Sequence, residues 1–201
     1  MSHCQPGQAP VQSQLGKNSA PGQSGPVVTA GVASSHIRAP GCPRARVITV
    51  SDRSFAGERG DRSGPLLANL LAELGYLVDG PVVVPDDVAA ITAELYRSIE
   101  SEYDLVFTTG GTGVAPRDVT PEATLAVVER EVPGIAELLR SSVAQRVPTS
   151  WLSRGIAGTA GHTLVVNLAG STGAVRDGIS ALSPLLGHVI SQLHGGDHHE
   201  A

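Results

Sequence analysis

The strongest constraint on this chain is an alternation between two hydrophobic rhythms. Short apolar, largely β-branched runs at 44–50, 77–84, 104–109 and 163–168 are separated by stretches whose apolar residues recur at helical spacing. Pro65 opens one such stretch with Leu66, Leu67, Leu70, Leu71 and Leu74, and Gly75 is placed to stop it. Pro-Asp-Asp at 85–87 supplies a turn and a cap for a second, with Val88, Ile91, Leu95 and Ile99 on one face. Thr120 starts a third with Pro121 at its first position, and two more span about 134–145 and 174–193. Strands that alternate with amphipathic helices pair in parallel, because each crossover returns the chain to the same end of the sheet. The expected fold class is therefore α/β, a three-layer sandwich with a mainly parallel central sheet and helices on both faces. In such sheets ligands collect beyond the carboxyl ends of the strands. Three polar, glycine-containing loops fall there: 51–62, 110–118 and 170–173.

Composition divides the chain. Residues 1–43 are dominated by Gly, Pro, Gln, Ser and Ala and hold no acid, a mixture that buries too little to offset the entropy of ordering the backbone. The expected organisation is a disordered tail over 1–43, one domain over 44–195 and a frayed end over 196–201. All 19 acidic residues lie in the part from Arg44 onward, which has no lysine and a net charge near −7. Such a domain lacks the basic footprint that duplex nucleic acid requires. If it handles phosphates, it must use helix starts, selected arginines or a cation held by carboxylates. Cys4 and Cys42 both lie in the tail, so the domain has neither an internal disulfide nor a thiolate metal site. A reducing, cytoplasmic compartment is expected. No apolar run approaches bilayer length and no basic start precedes an apolar segment, so neither a membrane nor export is expected.

Several residue groups can carry chemistry. Thr-Thr-Gly-Gly-Thr-Gly (108–113), directly after a buried run, lets a ligand approach bare main chain, although an ordinary tight turn would read the same way. No Gly-Lys-Ser/Thr follows it and no third glycine completes a dinucleotide fingerprint. Asp118 comes five residues later, and Asp86 and Asp87 follow a different strand. Two carboxylates converging from separate strands suit Mg²⁺, while capping of the helix at Val88 is the alternative for either member of the 86–87 pair. Ser51, Asp52 and Arg53 form either a functional strand tip or a solvated turn. Arg117, Arg140 and Arg154 are candidates for phosphate contact, each with a solvated surface role as the alternative. His162 and His188 stand isolated, His194, His198 and His199 belong to the frayed end, and no spacing suits zinc. Trp151 is expected in the core or at an interface.

The ordered set of motifs resembles a known family. Thr-Thr-Gly-Gly-Thr-Gly (108–113), Arg-Asp-Val-Thr-Pro-Glu-Ala-Thr (117–124), Val-Pro-Gly (132–134), Leu-Ser-Arg-Gly (152–155) and Asn-Leu-Ala-Gly-Ser (167–171) resemble the Mog/MoaB family of molybdenum-cofactor biosynthesis, as do Ser-Asp-Arg (51–53) and Pro-Asp (85–86). The resemblance covers about Arg44 to Leu193. It implies a molybdopterin adenylyltransferase, in which the terminal phosphate of molybdopterin attacks the α-phosphorus of Mg-ATP, releasing pyrophosphate. It also implies a homotrimer, with hand-over to a molybdenum-insertion protein a further expectation. The family's key aspartates carry over to Asp86 and Asp118, as catalytic residues and Mg²⁺ ligands. Its substrate loop carries over to Thr109, Gly110, Gly111, Thr112 and Gly113, and other pocket positions to Ser51, Asp52, Asn167, Gly170 and Ser171. The chain departs from the family's Asn-Leu-Pro-Gly-Ser-Pro at Ala169, Thr172 and Gly173. Loss of both prolines motivates a rival expectation, a non-catalytic molybdopterin-binding or scaffold protein.

Overall fold

A computed structural model describes residues 41–196. The expected tail up to residue 40, and His198 and His199, lie outside the described residues. The elements follow in the order β1 (Arg44–Val50), α1 (Asp52–Phe55), α2 (Ser63–Glu73), β2 (Leu77–Val84), α3 (Val88–Glu100), β3 (Leu105–Thr109), α4 (Thr120–Leu125), β4 (Arg130–Glu131), α5 (Pro133–Ser141), a 3-10 turn (Pro148–Leu152), β5 (Ala157–Ala160), β6 (Thr163–Leu168) and α6 (Thr172–Leu193). One six-stranded sheet has the order β2-β1-β3-β6-β5-β4. The pairs β1–β2, β1–β3 and β3–β6 are parallel, and β4–β5 and β5–β6 antiparallel. The sheet is thus mainly parallel, as expected, with a short antiparallel edge that the sequence reading did not include.

Side chains alternate across the central strands and sort the core into two layers. Val47, Leu105, Phe107, Leu164 and Val166 pack against Leu67 and Leu71 of α2, Ile135 of α5 and Val175, Ile179, Leu182 and Leu186 of α6. Ile48, Val106 and Val165, on the other face, pack against Ile91 and Leu95 of α3 and Ala123 beside Val127 at α4. These two apolar faces explain why the central strands are apolar at nearly every position.

Most helix boundaries have local causes. Asp87 caps α3, its Oδ1 accepting the Ala90 N–H at 2.9 Å. Asp61 caps α2 by accepting from the N–H groups of Ser63 and Gly64. Gly75, at φ +92°, closes the same helix in the left-handed region that only glycine adopts freely. Thr120 is the first residue of α4 rather than its cap, and its hydroxyl donates instead to the Gly110 carbonyl at 3.0 Å. Helix α6 continues through Pro184, and the Ser180 carbonyl that the proline cannot bond accepts the Ser183 hydroxyl.

Three further expectations are corrected. His194 is not part of a loose end: its Nε2 lies 2.6 Å from Oδ1 of the buried Asp104, which also accepts the Arg44 N–H. His162 is not isolated, since its ring stacks on His194 at 5.2 Å and its Nδ1 meets the Leu193 carbonyl. Of the two placements expected for Trp151, the core is excluded, since the side chain is 59% exposed. Among the described residues no helix is long and apolar enough to cross a membrane.

The packing predicts a sharp contrast between two leucines. Leu164→Ala, at a fully buried central-strand position, should lower unfolding free energy by about 2–5 kcal/mol. Leu125→Ala, on the exposed side of α4, should stay within about 0.5 kcal/mol. Urea titration of both variants checks the assignment of layers.

Candidate functional site

The strand order 2-1-3 places a topological switch between β1 and β3, where one crossover leaves toward β2 and the next returns on the far side. The chain leaving β3 there is Gly110-Gly111-Thr112-Gly113. It presses against the end of β1: a Cβ on Gly110 would stand 2.2 Å from the Val50 carbonyl oxygen, and the residue has φ +108°. Gly111, at φ +61°, has Thr120 Oγ1 where its Cβ would go. From the neighbouring strand end, a Cβ on Gly170 would stand 3.1 Å from the Gly110 Cα, so main chain packs on main chain.

The hydrogen bonding of this loop is polarised. All four successive carbonyls turn into the protein: Gly110 O accepts from Thr120 Oγ1, Gly111 O from Thr120 N–H, Thr112 O from Arg154 N–H, and Gly113 O from Arg154 Nε. The Gly110 N–H is bonded to Leu168 O at 3.0 Å. The N–H groups of Gly111, Thr112 and Gly113 make no hydrogen bond to the described residues. Three successive free amides beside a cavity form a nest suited to an anion.

Acids flank the nest on both sides. A Cβ at Gly111 would come within 3.1 Å of Asp86 Oδ1, and one at Gly113 within 2.8 Å of Asp118 Oδ2, so the two predicted aspartates meet at the loop. Asp118 Oδ2 accepts the Ala115 N–H at 2.9 Å. Asp86 and Asp52 clasp one another across the ends of β2 and β1, each carboxylate accepting the other's main-chain N–H at 2.7 and 3.0 Å. Arg117 closes the group with two bonds to Asp52 Oδ2. That guanidinium holds the Asp52 carboxyl below its ordinary range. Burial pushes Asp86 upward, a main-chain hydrogen bond opposes this, and the negative charges of Asp52 and Asp118 add to the rise.

Two cavities of about 470 and 320 Å³ open here and share Gly110, Gly170 and Ser171 as a common wall. The larger is lined by Gly110–Gly113, Asp118, Asn167 and the inner side of α5 and α6. The smaller is lined by Ser51, Thr109, Arg59, Arg62 and the start of α6. Of the predicted residues, Ser51 caps α1 and Ser171 caps α6, each through its hydroxyl. Thr109 donates to Ala169 O at 3.2 Å. Asn167 is 2% exposed: both amide hydrogens are taken by Thr108 and Thr124, and its oxygen accepts the Ile156 N–H, so it stiffens the wall from within. The three candidate arginines are all engaged. Arg117 binds Asp52, Arg140 binds the Ser153 and Gly155 carbonyls, and Arg154 binds the glycine loop.

The sequence reading missed Arg146 and Asp177, which line the larger cavity and pair at 2.6 Å. Asp177 lies one turn beyond Ala174 on the cavity-facing side of α6, a helical periodicity that was available; Arg146 sits in an irregular segment that offered no pattern. Among the described residues no three His, Cys, Asp or Glu side chains group as a ready-made metal site.

Fold and site together define a class: an α/β protein with a glycine-rich loop at a sheet switch point, set between two aspartates. Residues 46–188 match the family model described as "Probable molybdopterin binding domain". The chain belongs to this family, which is one of molybdenum-cofactor biosynthesis. It is 39% identical over 161 residues to "Molybdenum cofactor biosynthesis protein B" of Bacillus cereus, covering 78% of this chain and 94% of that protein. It is 37% identical over 155 residues to "Molybdopterin adenylyltransferase" of Helicobacter pylori, covering 74% and 86%. Against the "Molybdenum cofactor biosynthesis bifunctional protein" of Synechococcus elongatus it is 41% identical over 154 residues, 77% of this chain but only 48% of that longer relative. A crystal structure of a molybdopterin biosynthesis protein from Mycobacterium abscessus superposes with a TM-score of 0.72 at 51% identity, covering 75% of this chain and 96% of that one.

The electrostatics of Asp86 yield a pH prediction. A carboxyl held above its ordinary value of 3.8 binds its proton more tightly in the folded chain than in the unfolded one. Folded stability therefore falls as pH rises from 3.8 through the raised value, and stays lower above it. Asp86→Asn keeps an acceptor for the Asp52 N–H and removes the charge. Its melting temperature should exceed that of the unsubstituted chain by about 2 °C at pH 7, and the difference should vanish near pH 3.5. Calorimetry across that pH range reads the sign directly.

Proposed function

We propose that this chain is a molybdopterin adenylyltransferase, transferring AMP from ATP to the terminal phosphate of molybdopterin with release of pyrophosphate. The observation that carries the reading is the polarised glycine loop: three free amides, glycines on both sides of the buried Thr112, and an aspartate at either end. A phosphate oxygen of molybdopterin forms a bond to the α-phosphorus of ATP, and the bond from that phosphorus to the bridging oxygen of pyrophosphate breaks. Such a transfer needs in-line positioning and charge stabilisation far more than covalent help from the protein. The amides of Gly111, Thr112 and Gly113 suit a phosphate oxygen as it enters the reaction, and the shared wall of Gly110, Gly170 and Ser171 lets two phosphorylated ligands approach from separate cavities.

Mg²⁺ is the ion this donor set suits. Asp86 Oδ1 and Asp118 Oδ1 accept no hydrogen bond from the described residues, and two hard oxygen donors are what a phosphate-bridging Mg²⁺ takes from protein. Asp86 and Asp118 would hold it, and when bound it supplies charge neutralisation for the phosphates.

The altered 169–173 segment is held in place without its prolines. Ala169 O is tied by Thr109, Gly170 packs on Gly110, and Ser171 caps α6 through Ala174 N–H. This supports catalysis over the scaffold alternative. Assembly as a homotrimer in the cytoplasm, with product passed to a molybdenum-insertion protein, completes the proposal.

Purified chain given molybdopterin, ATP and Mg²⁺ should release pyrophosphate in proportion to molybdopterin. Asp118→Asn should lower the turnover rate by roughly 10²–10³-fold while molybdopterin still binds. Molybdopterin binding without pyrophosphate release by the unsubstituted chain would select the scaffold alternative.

A further inference from the structure

Arg154 lies just beyond the 3-10 turn and makes an unusual set of contacts for a surface arginine. Its main-chain N–H donates to Thr112 O at 2.8 Å, and its Nε to Gly113 O at 2.7 Å. Its Nη2 donates to the carbonyl of Asp118, and its Nη1 to the carboxylate of Glu122 on α4. One guanidinium thus grips both ends of the 113–118 segment and anchors them to the next helix. Inside that segment the main-chain N–H bonds are local, Asp118 N–H to Ala115 O and Ala115 N–H to Asp118 Oδ2, and the Arg117 side chain reaches out to Asp52. Val114 is 67% exposed and contributes no core packing to hold the segment down.

These contacts divide the labour between neighbours. Arg117 is committed to Asp52, on the β1 side of the crevice, whereas Arg154 alone bridges Gly113 and Asp118 from the β5 side. The planar fork matters here, because Nε, Nη1 and Nη2 reach separate acceptors in fixed directions, which a lysine ammonium on a flexible stem does not reproduce.

We propose that Arg154 is a positioning residue: by clamping the carbonyls of Gly113 and Asp118 it fixes the Asp118 carboxylate beside the glycine nest, and so acts on the reaction through Asp118. The role in turnover rests on the adenylyl-transfer reading, whereas the clamp itself is a property of the chain alone.

The test uses the full chain with Arg154→Ala, Arg154→Lys, Asp118→Asn and the Arg154→Ala/Asp118→Asn double variant. Hydrogen–deuterium exchange needs no substrate. In Arg154→Ala the two hydrogen-bonded amides of the segment, Ala115 and Asp118, should exchange about tenfold faster or more, as loss of a charge-assisted hydrogen bond requires, with the β1, β3 and β6 amides unchanged. Unchanged exchange at Ala115 and Asp118, or a rise throughout the sheet, would overturn the clamp. In pyrophosphate release, Arg154→Ala should lower kcat on the order of 10²-fold, with the effect on KM for either substrate below about threefold. Arg154→Lys should remain impaired, and the double variant should be no slower than Asp118→Asn alone. Full rescue by lysine, or an additive loss in the double variant, would show that Arg154 does not act through Asp118. An unsubstituted chain that releases no pyrophosphate would instead count against the adenylyl-transfer reading, and the exchange result would still decide the clamp.

Discussion

The contact on which this site depends is the meeting of two pieces of main chain, Gly110 against the Val50 carbonyl at the end of β1. Any Cβ at that point would push the loop off the sheet. Because the loop sits so close, its carbonyls reach Thr120 and Arg154, and the N–H groups of Gly111, Thr112 and Gly113 are left without a partner among the described residues. The same proximity brings the ends of β1 and β2 within reach of the loop, so that Asp86 comes to lie against Gly111. Sheet order, helix capping and acid placement all converge on a residue whose contribution is the side chain it lacks.

A lysine-free, acidic domain is an unusual host for the phosphorylated ligands of the proposed reaction. Three arginines near the glycine loop are paired with acids, Arg117 with Asp52, Arg146 with Asp177 and Arg154 with Glu122, whereas Arg140 binds carbonyls and Arg59 and Arg62 line the smaller cavity. At the glycine loop itself, the groups suited to an anion are amide dipoles, which are fixed in place by the fold. Such groups carry no net charge and leave the overall balance of the domain unaffected.

Much of the architecture was legible in the sequence, for reasons that can be named. The β-branched runs and helical spacing marked the central strands and both helix layers, and Asp86 and Asp118 were placed at strand ends from the chain order alone. What escaped was chiefly short or non-local. β5 is an Ala-Gly-Thr-Ala segment with little strand propensity, held by its pairing with β6. Glu94 reads as a solvated helix residue, yet it is 2% exposed because Arg46 on β1 and Arg97 on its own helix both reach it. The docking of His194 on Asp104 joins residues 90 positions apart, which no window of sequence reveals. Asn167 was expected to face a ligand, and only three-dimensional bookkeeping of its hydrogen bonds shows that its amide is committed to Thr108, Thr124 and Ile156.

The two cavities share Gly110, Gly170 and Ser171 in their linings. Bulk added at these residues intrudes on both compartments at once. The tastes of the two chambers are consequently not free to drift apart through changes there. Divergence in ligand preference has to be written into the outer linings, where α5 and α6 bound one chamber and the 59–63 segment bounds the other.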